Sequence, residues 1–431
     1  MKKQVIFVIA FAAAVLSVRA QDQELTPFEQ VQQKVEVHDQ LLNKLSAIKI
    51  SGYIQPQFQW GMEAASLKVG AANEDATKSF NRIGIRRGRI KFTYDDGGLA
   101  TGVFQLNIVD KSNATGVSQA VVQLKEAYLN IKDPWTQKSS FQAGVFDRPF
   151  GNEISYSSSL LESPERSKII QTLFPEECDL GAKLVLQPAA NSQFNFLKLE
   201  AGLFAGNAIN PETDNKKDFI GHLTAIRPIG NTAKWGLGVS YYNGGVYEGN
   251  QYYYTFDNGA FVKNANGTDS IGKYAKREYF GVDGQFSIES SLGMTQLRAE
   301  YIWGTQPGSK SSTSSPNSAS RPTGDTYIRK TAGWYAILVQ DLGSSPFSLV
   351  AKYDVYDPNT KIKKDEIGLN KTTKSEIAYN TLGLGALWRV SPAIRVQLYY
   401  EFVQNEKSKN LAGYDKDLKD DTFTARVQFK F

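Results

Sequence analysis

The chain is poor in the residues that build metal centres and nucleophilic active sites. It has a single cysteine, Cys178, and two histidines, His38 and His222. One cysteine excludes an internal disulfide, and without a CxxC or His/Cys cluster the sequence offers no zinc-binding pattern. No serine motif accompanies either histidine, although a nucleophile needs a base and an orienting group beside it. We therefore expect no enzyme activity, no metal and no cofactor.

Long apolar runs are missing beyond the N-terminus. There, the apolar stretch 5–18 follows Lys2 and Lys3 and leads into Val18-Arg19-Ala20. A basic start, a short apolar run and small residues predict a cleavable export signal at 1–20. No other window approaches the roughly 18 apolar residues of a membrane-spanning helix. The sequence therefore predicts an exported chain without helical membrane spans.

A large excess of one charge is also missing. The net charge is +5, and loss of Lys2, Lys3 and Arg19 with the signal would leave +2. Basic residues are dispersed by strand alternation instead of gathering on one face, so the sequence gives no support for nucleic-acid binding.

What the chain does have is period-2 alternation, most clearly at its C-terminus. Phe423, Ala425, Val427, Phe429 and Phe431 alternate with polar residues. Such a strand needs an apolar medium on one side and water on the other. Lipid outside and an aqueous lumen inside an outer-membrane β-barrel meet that need. Aromatic residues make up 12% of the chain, which suits the girdles at the two membrane interfaces.

Alternating segments and turn signals predict sixteen strands from residue 49 onward. Links after even strands are short and links after odd strands are long, as in an up-and-down barrel. We therefore predict an all-β fold, a 16-stranded antiparallel transmembrane β-barrel at 48–431 with both termini on the short-turn, periplasmic rim. The predicted strands are 49–60, 80–94, 99–110, 119–132, 139–147, 178–188, 192–205, 217–228, 233–244, 276–288, 293–304, 328–341, 345–356, 376–389, 393–405 and 421–431.

Residues 21–47 form a separate predicted segment. Its apolar residues recur at heptad spacing, with His38 in the seam: Phe28, Val31, Val35, His38, Leu42 and Leu45. This pattern predicts a periplasmic coiled coil joining protomers, and a homotrimer would fit it. The alternative is an amphipathic helix packed on its own domain.

A sixteen-stranded barrel leaves an aqueous channel whose selectivity depends on the charges lining it. If alternation continues through the second strand, Arg87, Arg89 and Lys91 face the lumen as an anion-attracting ladder, and Arg82 and Arg86 face outward near a rim or protomer interface. The alternative is that carboxylates on neighbouring strands balance these arginines. Lys183 is among the further basic residues that strand alternation places on the lumen side.

The link 148–177 is long and carries its own apolar residues. We predict that it folds inward and narrows the pore, with Arg148, Arg166 and Lys168 near the constriction, because loops of this length are usually functional. The alternative is a structural lid or an interface.

Three segments bring a family resemblance. They read KISGYIQPQFQW (49–60), FNRIGIRRGRIKF (80–92) and GVFDRPFG…ESPERS…DLGAKL (144–184). They resemble the phosphate-selective porin O and P family, in particular its Bacteroidetes-type members. The resemblance implies a trimeric sixteen-stranded outer-membrane porin, often anion-selective, with a constriction loop after strand five. It places Arg87, Arg89, Arg148 and Arg166 at basic positions of that family.

Together these features predict a porin of the Gram-negative outer membrane with a periplasmic N-terminal segment. It would contact membrane lipid and pass small hydrophilic solutes by diffusion, with a mild preference for anions such as phosphate. The alternative function is a surface-exposed structural or adhesive barrel whose long loops bind partners.

Overall fold

The computed structural model describes residues 31, 32, 34–36, 38, 42 and 46–431, apart from 113–117 and 266–271, and describes only the backbone of the strand residues next to 113–117. The chain divides into two compact units, Met1–Ile48 and Lys49–Phe431. The export signal and most of the coiled-coil segment lie outside the described residues. In the first unit, Val31, Val35 and Leu42 have helical backbone and exposed side chains, so the heptad interpretation remains a prediction.

The second unit is a closed antiparallel barrel. Its elements are β1 (Ile48–Gly61), β2 (Phe80–Asp95), β3 (Ala100–Ser112), β4 (Ser118–Lys132), β5 (Ser140–Asp147), α1 (Lys168–Leu173), β6 (Cys178–Leu186), β7 (Leu197–Phe204), β8 (Asp218–Ile229), β9 (Ala233–Tyr247), β10 (Tyr252–Asp257), β11 (Ala260–Ala265), β12 (Tyr274–Ser290), β13 (Gly293–Gly308), β14 (Thr326–Asp341), β15 (Phe347–Asp357), two 3-10 turns (Lys364–Glu366 and Lys374–Glu376), β16 (Tyr379–Arg389), β17 (Ile394–Asn405) and β18 (Thr422–Lys430).

Sixteen of these strands form the barrel wall, and β1 closes it by pairing with both β18 and β2. The other two, β10 and β11, form a hairpin within the link between β9 and β12, and β10 runs parallel to the start of β14. The predicted fold class is therefore confirmed. Among the described residues, no helix has the length and apolar character needed to cross a membrane.

The outer face of the barrel is apolar and the inner face is largely polar. On β15, Phe347, Leu349 and Tyr353 are exposed to the outside. The alternate residues Lys352 and Asp354 are buried inside. This arrangement reverses that of a soluble protein, and it is stable where the outer face meets lipid.

With the exception of 113–117, which joins β3 to β4, the links between strands sort by length onto the two rims. The short ones are 96–99, 133–139, 187–196, 230–232, 291–292, 342–346 and 390–393, whereas 62–79, 148–177, 205–217, 248–273, 309–325, 358–378 and 406–421 are longer. The link 187–196 is longer than predicted because β6 ends at Leu186 and successive turns delay β7 until Leu197.

The link 148–177, called the inner loop below, folds into the lumen as predicted. Its apolar side chains form one buried cluster with residues of the barrel wall, including Tyr242, Tyr279 and Ile302. Burial of this apolar surface stabilises the inward position. The inner-loop members of the cluster are Phe150, Ile154, Ile169, Ile170, Leu173 and Phe174.

One glycine permits a close approach between the inner loop and the wall. Gly151 has φ of +60°, and a Cβ there would lie 1.8 Å from Oε1 of Glu300. Its backbone N–H donates to Oγ of Ser240 at 2.8 Å. A side chain at Gly151 would therefore meet both a disfavoured backbone conformation and a steric clash.

We expect Gly151→Ala to lower the free energy of unfolding by more than the ~1–2 kcal/mol of a left-handed backbone alone. Gly97→Ala is the matched control, because Gly97 has φ of +72° but nothing within 4 Å of the added Cβ. Urea unfolding of both variants in detergent measures the difference. Equal losses of unfolding free energy in Gly151→Ala and Gly97→Ala would show that the contact of the added Cβ with Glu300 causes no strain.

Candidate functional site

A polar gap remains between the inner loop and the wall formed by β2, β3 and β4. This gap, called the constriction below, has a volume of about 180 Å³, which is enough for several water molecules. Its lining combines cations of the wall with carboxylates of the inner loop. The lining residues are Arg86, Arg87, Arg89, Asn107, Gln123, Leu124, Lys125, Pro175, Glu176, Glu177, Cys178 and Ile209.

A change of phase in β2 turns two adjacent arginines inward. Ile83 and Ile85 are exposed on the outer face, and so is Tyr94 farther along the strand. Strict alternation would place odd-numbered and even-numbered residues on opposite faces of the strand. Because Ile85 and Tyr94 share the outer face, the alternation must shift by one residue between them. Arg86 and Arg87 lie at the change, and both line the constriction.

The expectation that Arg86 faces outward is therefore wrong. Its Nε donates to Oε1 of Glu165 in the inner loop at 2.7 Å. Arg87 donates to the other oxygen of the same carboxylate at 2.8 Å. Arg82 lies at the long-loop end of β2 and donates from Nε to the carbonyl of Ala71 at 2.9 Å.

A second irregularity, in β4, adds a cation that the sequence did not single out. The register of β3 and β4 shifts so that Gln105 faces Glu126 and the next residue, Leu106, faces Leu124. Lys125 is left over as the extra residue of a β-bulge, a device that re-aims side chains near functional sites. Lys125 and Glu126 consequently both make contacts inside the barrel.

Lys125 forms an ion pair with Glu177 of the inner loop. Glu177 also accepts from Arg166. Burial alone would raise the pKa of Glu177, but Arg166 and Lys125 outweigh it and hold the pKa well below its usual range. Glu177 therefore stays ionised at neutral pH.

Arg89 differs from the other cations of the constriction. Among the described residues it has no carboxylate within ion-pair distance. It donates instead to Oγ of Ser158 at 3.0 Å and to Oδ1 of Asn107 at 3.4 Å. Of the four cations that line the constriction, Arg89 is therefore the one whose charge no ion pair among the described residues offsets.

The structure distributes the other predicted site residues among ion pairs. Lys91 pairs with Glu126, Arg148 with Asp179, Arg166 with Glu177, and Lys183 with Glu200. None of these four cations belongs to the lining of the constriction, and Lys168 lines a different cavity. Of the predicted basic residues, Arg87 and Arg89 lie at the constriction.

Cys178 belongs to the described cluster that most resembles a metal-ligand set. Its ligand atom and those of Glu126 and Asp147 lie within 4.8 Å of one another. However, the thiol of Cys178 donates to Asp147 at 3.1 Å, and Lys91 donates to Glu126 at 2.8 Å. These contacts already account for the grouping as a hydrogen-bonded part of the wall.

The constriction carries opposite charges on its two sides and a positive excess. Four cationic side chains face two carboxylates, Glu176 and Glu177. Glu165, behind Arg86 and Arg87, offsets one further charge. The result is a field directed across the gap and a local surplus of positive charge, which would lower the energy of an anion placed there.

No protein-family model and no curated protein matches this chain. Solved structures match its fold over most of its length. OprB of Pseudomonas putida has a TM-score of 0.55 at 10% identity, covering 92% of this chain and 97% of that chain. OmpF of Salmonella typhi, in complex with daunomycin, has a TM-score of 0.54 at 12% identity, covering 89% and 97%. The outer membrane channel DcaP of Acinetobacter baumannii has a TM-score of 0.52 at 11% identity, covering 89% of this chain and 97% of that chain. At these identities the likeness shows the fold alone.

Proposed function

We propose that this protein is an outer-membrane porin through which small hydrophilic solutes diffuse passively. The observation that carries the proposal is the polar constriction inside a barrel whose outer face is apolar. Solved barrels of similar fold include an outer membrane channel, which supports the same function. A gap bounded by charged side chains passes hydrated solutes and excludes large ones.

The proposed channel has a mild preference for anions such as phosphate. Arg89 supplies the cation without a paired carboxylate, and the local positive surplus acts in the same direction. The resemblance to phosphate-selective porins in the segments around Arg87 and Arg89 supports this preference. The proposal includes a homotrimer, with the segment 21–47 on the periplasmic side.

A steric variant tests whether solutes pass through the constriction. Asn107 lines it on β3, and a tryptophan there would add a large rigid ring. We expect Asn107→Trp to lower single-channel conductance in planar bilayers at least about twofold, because the ring narrows the pore that sets the conductance. Liposome swelling should slow most for the largest permeant sugar.

Thr101→Trp is the matched control. Thr101 lies on β3 six residues nearer the short-turn rim, or about 20 Å along the strand, and does not line the constriction. Its conductance should stay close to that of the wild type. If both variants conduct normally, solutes take another path, and if the wild type itself passes no solute, the channel proposal fails.

A further inference from the structure

A second cavity, called the outer cavity below, lies among the long links at the other side of the inner loop. It has a volume of about 370 Å³, within the size range of small-molecule sites. It shares no lining residue with the constriction. The lining residues are Lys168, Gln171, Thr172, Ser311, Ser312, Thr313, Ser314, Tyr356, Pro358, Lys374, Ser375, Ile377, Tyr379 and Tyr414.

The charge of this lining has one sign. Lys168 and Lys374 are its ionisable groups apart from tyrosines, and none of the lining residues is acidic. Neither lysine has a carboxylate within ion-pair distance among the described residues. Asp354 does come close, but it accepts the backbone N–H of Lys168 at 2.6 Å. The two ammonium groups are therefore available to an anionic group of a ligand.

The remaining lining groups are hydroxyls and aromatic rings. Ser375 Oγ is buried without a hydrogen-bond partner, a condition that normally calls for one. Tyr379 presents its ring 4.6 Å from Nζ of Lys168, and Tyr414 lines the same cavity. Rings of this kind combine an apolar face with a polar tip, which suits a ligand that has both C–H faces and hydroxyl groups.

We propose that the outer cavity binds an anionic sugar, that is, a hydroxyl-bearing ring with one carboxylate or phosphate group. The lysines would hold the anionic group, the hydroxyl cluster would exchange hydrogen bonds with the sugar, and the tyrosine rings would pack on its C–H face. The site would concentrate such solutes at the long-loop rim. This role rests on the proposed channel function, whereas binding itself is measurable without conduction.

Isothermal titration calorimetry of the full chain in detergent micelles tests the proposal, with glucuronate, glucose and acetate as ligands. We expect glucuronate to bind roughly tenfold more tightly than either of the others, because only glucuronate has both recognition elements. The double variant Lys168→Gln/Lys374→Gln should weaken glucuronate binding by at least roughly tenfold. Tyr379→Ala should weaken the binding of glucuronate but leave the affinity for acetate unchanged.

Lys361→Gln is the matched control, since Lys361 is exposed in the same link as Lys374 but does not line the cavity. It should bind glucuronate as the wild type does. Equal affinities for glucuronate and acetate would overturn the sugar part of the site, and equal affinities for glucuronate and glucose would overturn the role of the lysines. A protein that conducts but does not bind glucuronate overturns this inference alone. A protein that binds glucuronate but passes no current would overturn the proposed function and still support the sugar-binding site.

Discussion

Glu165→Gln should lower the free energy of unfolding by about 3–5 kcal/mol, the usual cost of removing one partner from a buried ion pair. Three guanidinium groups, from Arg86, Arg87 and Arg426, converge on this one carboxylate at 2.7, 2.8 and 3.1 Å. Arg87 and Arg426 are almost fully buried. An amide in place of the carboxylate would leave their charges without a counter-ion.

The pH dependence of this loss follows from the pKa of Glu165. Burial alone would raise the pKa, but the three arginines outweigh it and hold the pKa well below its usual range. A carboxylate whose pKa is lower in the folded state than in the unfolded state stabilises the protein at pH values above its unfolded-state pKa. This stabilisation is lost as the pH falls through the folded-state pKa. The difference between wild type and Glu165→Gln should therefore be constant from pH 8 to about 5 and shrink at lower pH.

Urea unfolding in detergent at several pH values measures both effects. Glu176→Gln is the control, because Glu176 lies in the same inner loop but forms no ion pair among the described residues. Its unfolding midpoint should stay close to that of the wild type. A Glu165→Gln variant as stable as Glu176→Gln would show that the carboxylate does not anchor the inner loop.

The largest functional effect is expected from Arg89→Gln. One unit charge about 4 Å from a passing ion changes its energy by about 1 kcal/mol in water-like surroundings. Loss of that charge should raise the energy of chloride and lower that of potassium, so the chloride-to-potassium permeability ratio should fall by at least about fivefold. Because Arg89 has no paired carboxylate, its removal should leave the fold intact.

Reversal potentials under a KCl gradient measure the ratio. Arg89→Lys keeps the positive charge and should retain most of the anion preference. Comparison with Arg89→Gln therefore separates the effect of the side chain's charge from that of its shape. Lys91→Gln is a second comparison, because Lys91 is paired with Glu126 outside the constriction, and should change the ratio less. Equal ratios in wild type and Arg89→Gln would remove Arg89 from the conduction path.

Alternation was enough to predict the barrel because a strand's period and its two environments are properties of each strand alone. The C-terminal strand shows this: the exposed Val427 and Phe429 alternate with the buried Arg426 and Gln428. Sorting of link lengths added the up-and-down topology. Neither feature depends on which distant residues meet across the lumen.

The constriction could not be predicted to the same extent because two irregularities and one loop decide it. The bulge at Lys125 and the phase change near Arg86 break the alternation from which side-chain directions were inferred. Glu165 and Glu177 reach their partners only because the inner loop folds inward. Adjacent charged residues in a strand, as in Arg86-Arg87 and Lys125-Glu126, were the available signal of an irregular strand.

The measurement that tests the central claim most directly is chemical blocking of the constriction while current flows. Gln123 lines it opposite Asn107, so a Gln123→Cys variant in a Cys178→Ala background would offer one thiol there. Ser345→Cys, in the exposed short turn 342–346, is the control. We predict that a bulky charged thiol reagent lowers the current of Gln123→Cys irreversibly and leaves Ser345→Cys unchanged. Full current through a Gln123→Cys channel that is shown to be labelled would contradict passage of solutes between the inner loop and the wall.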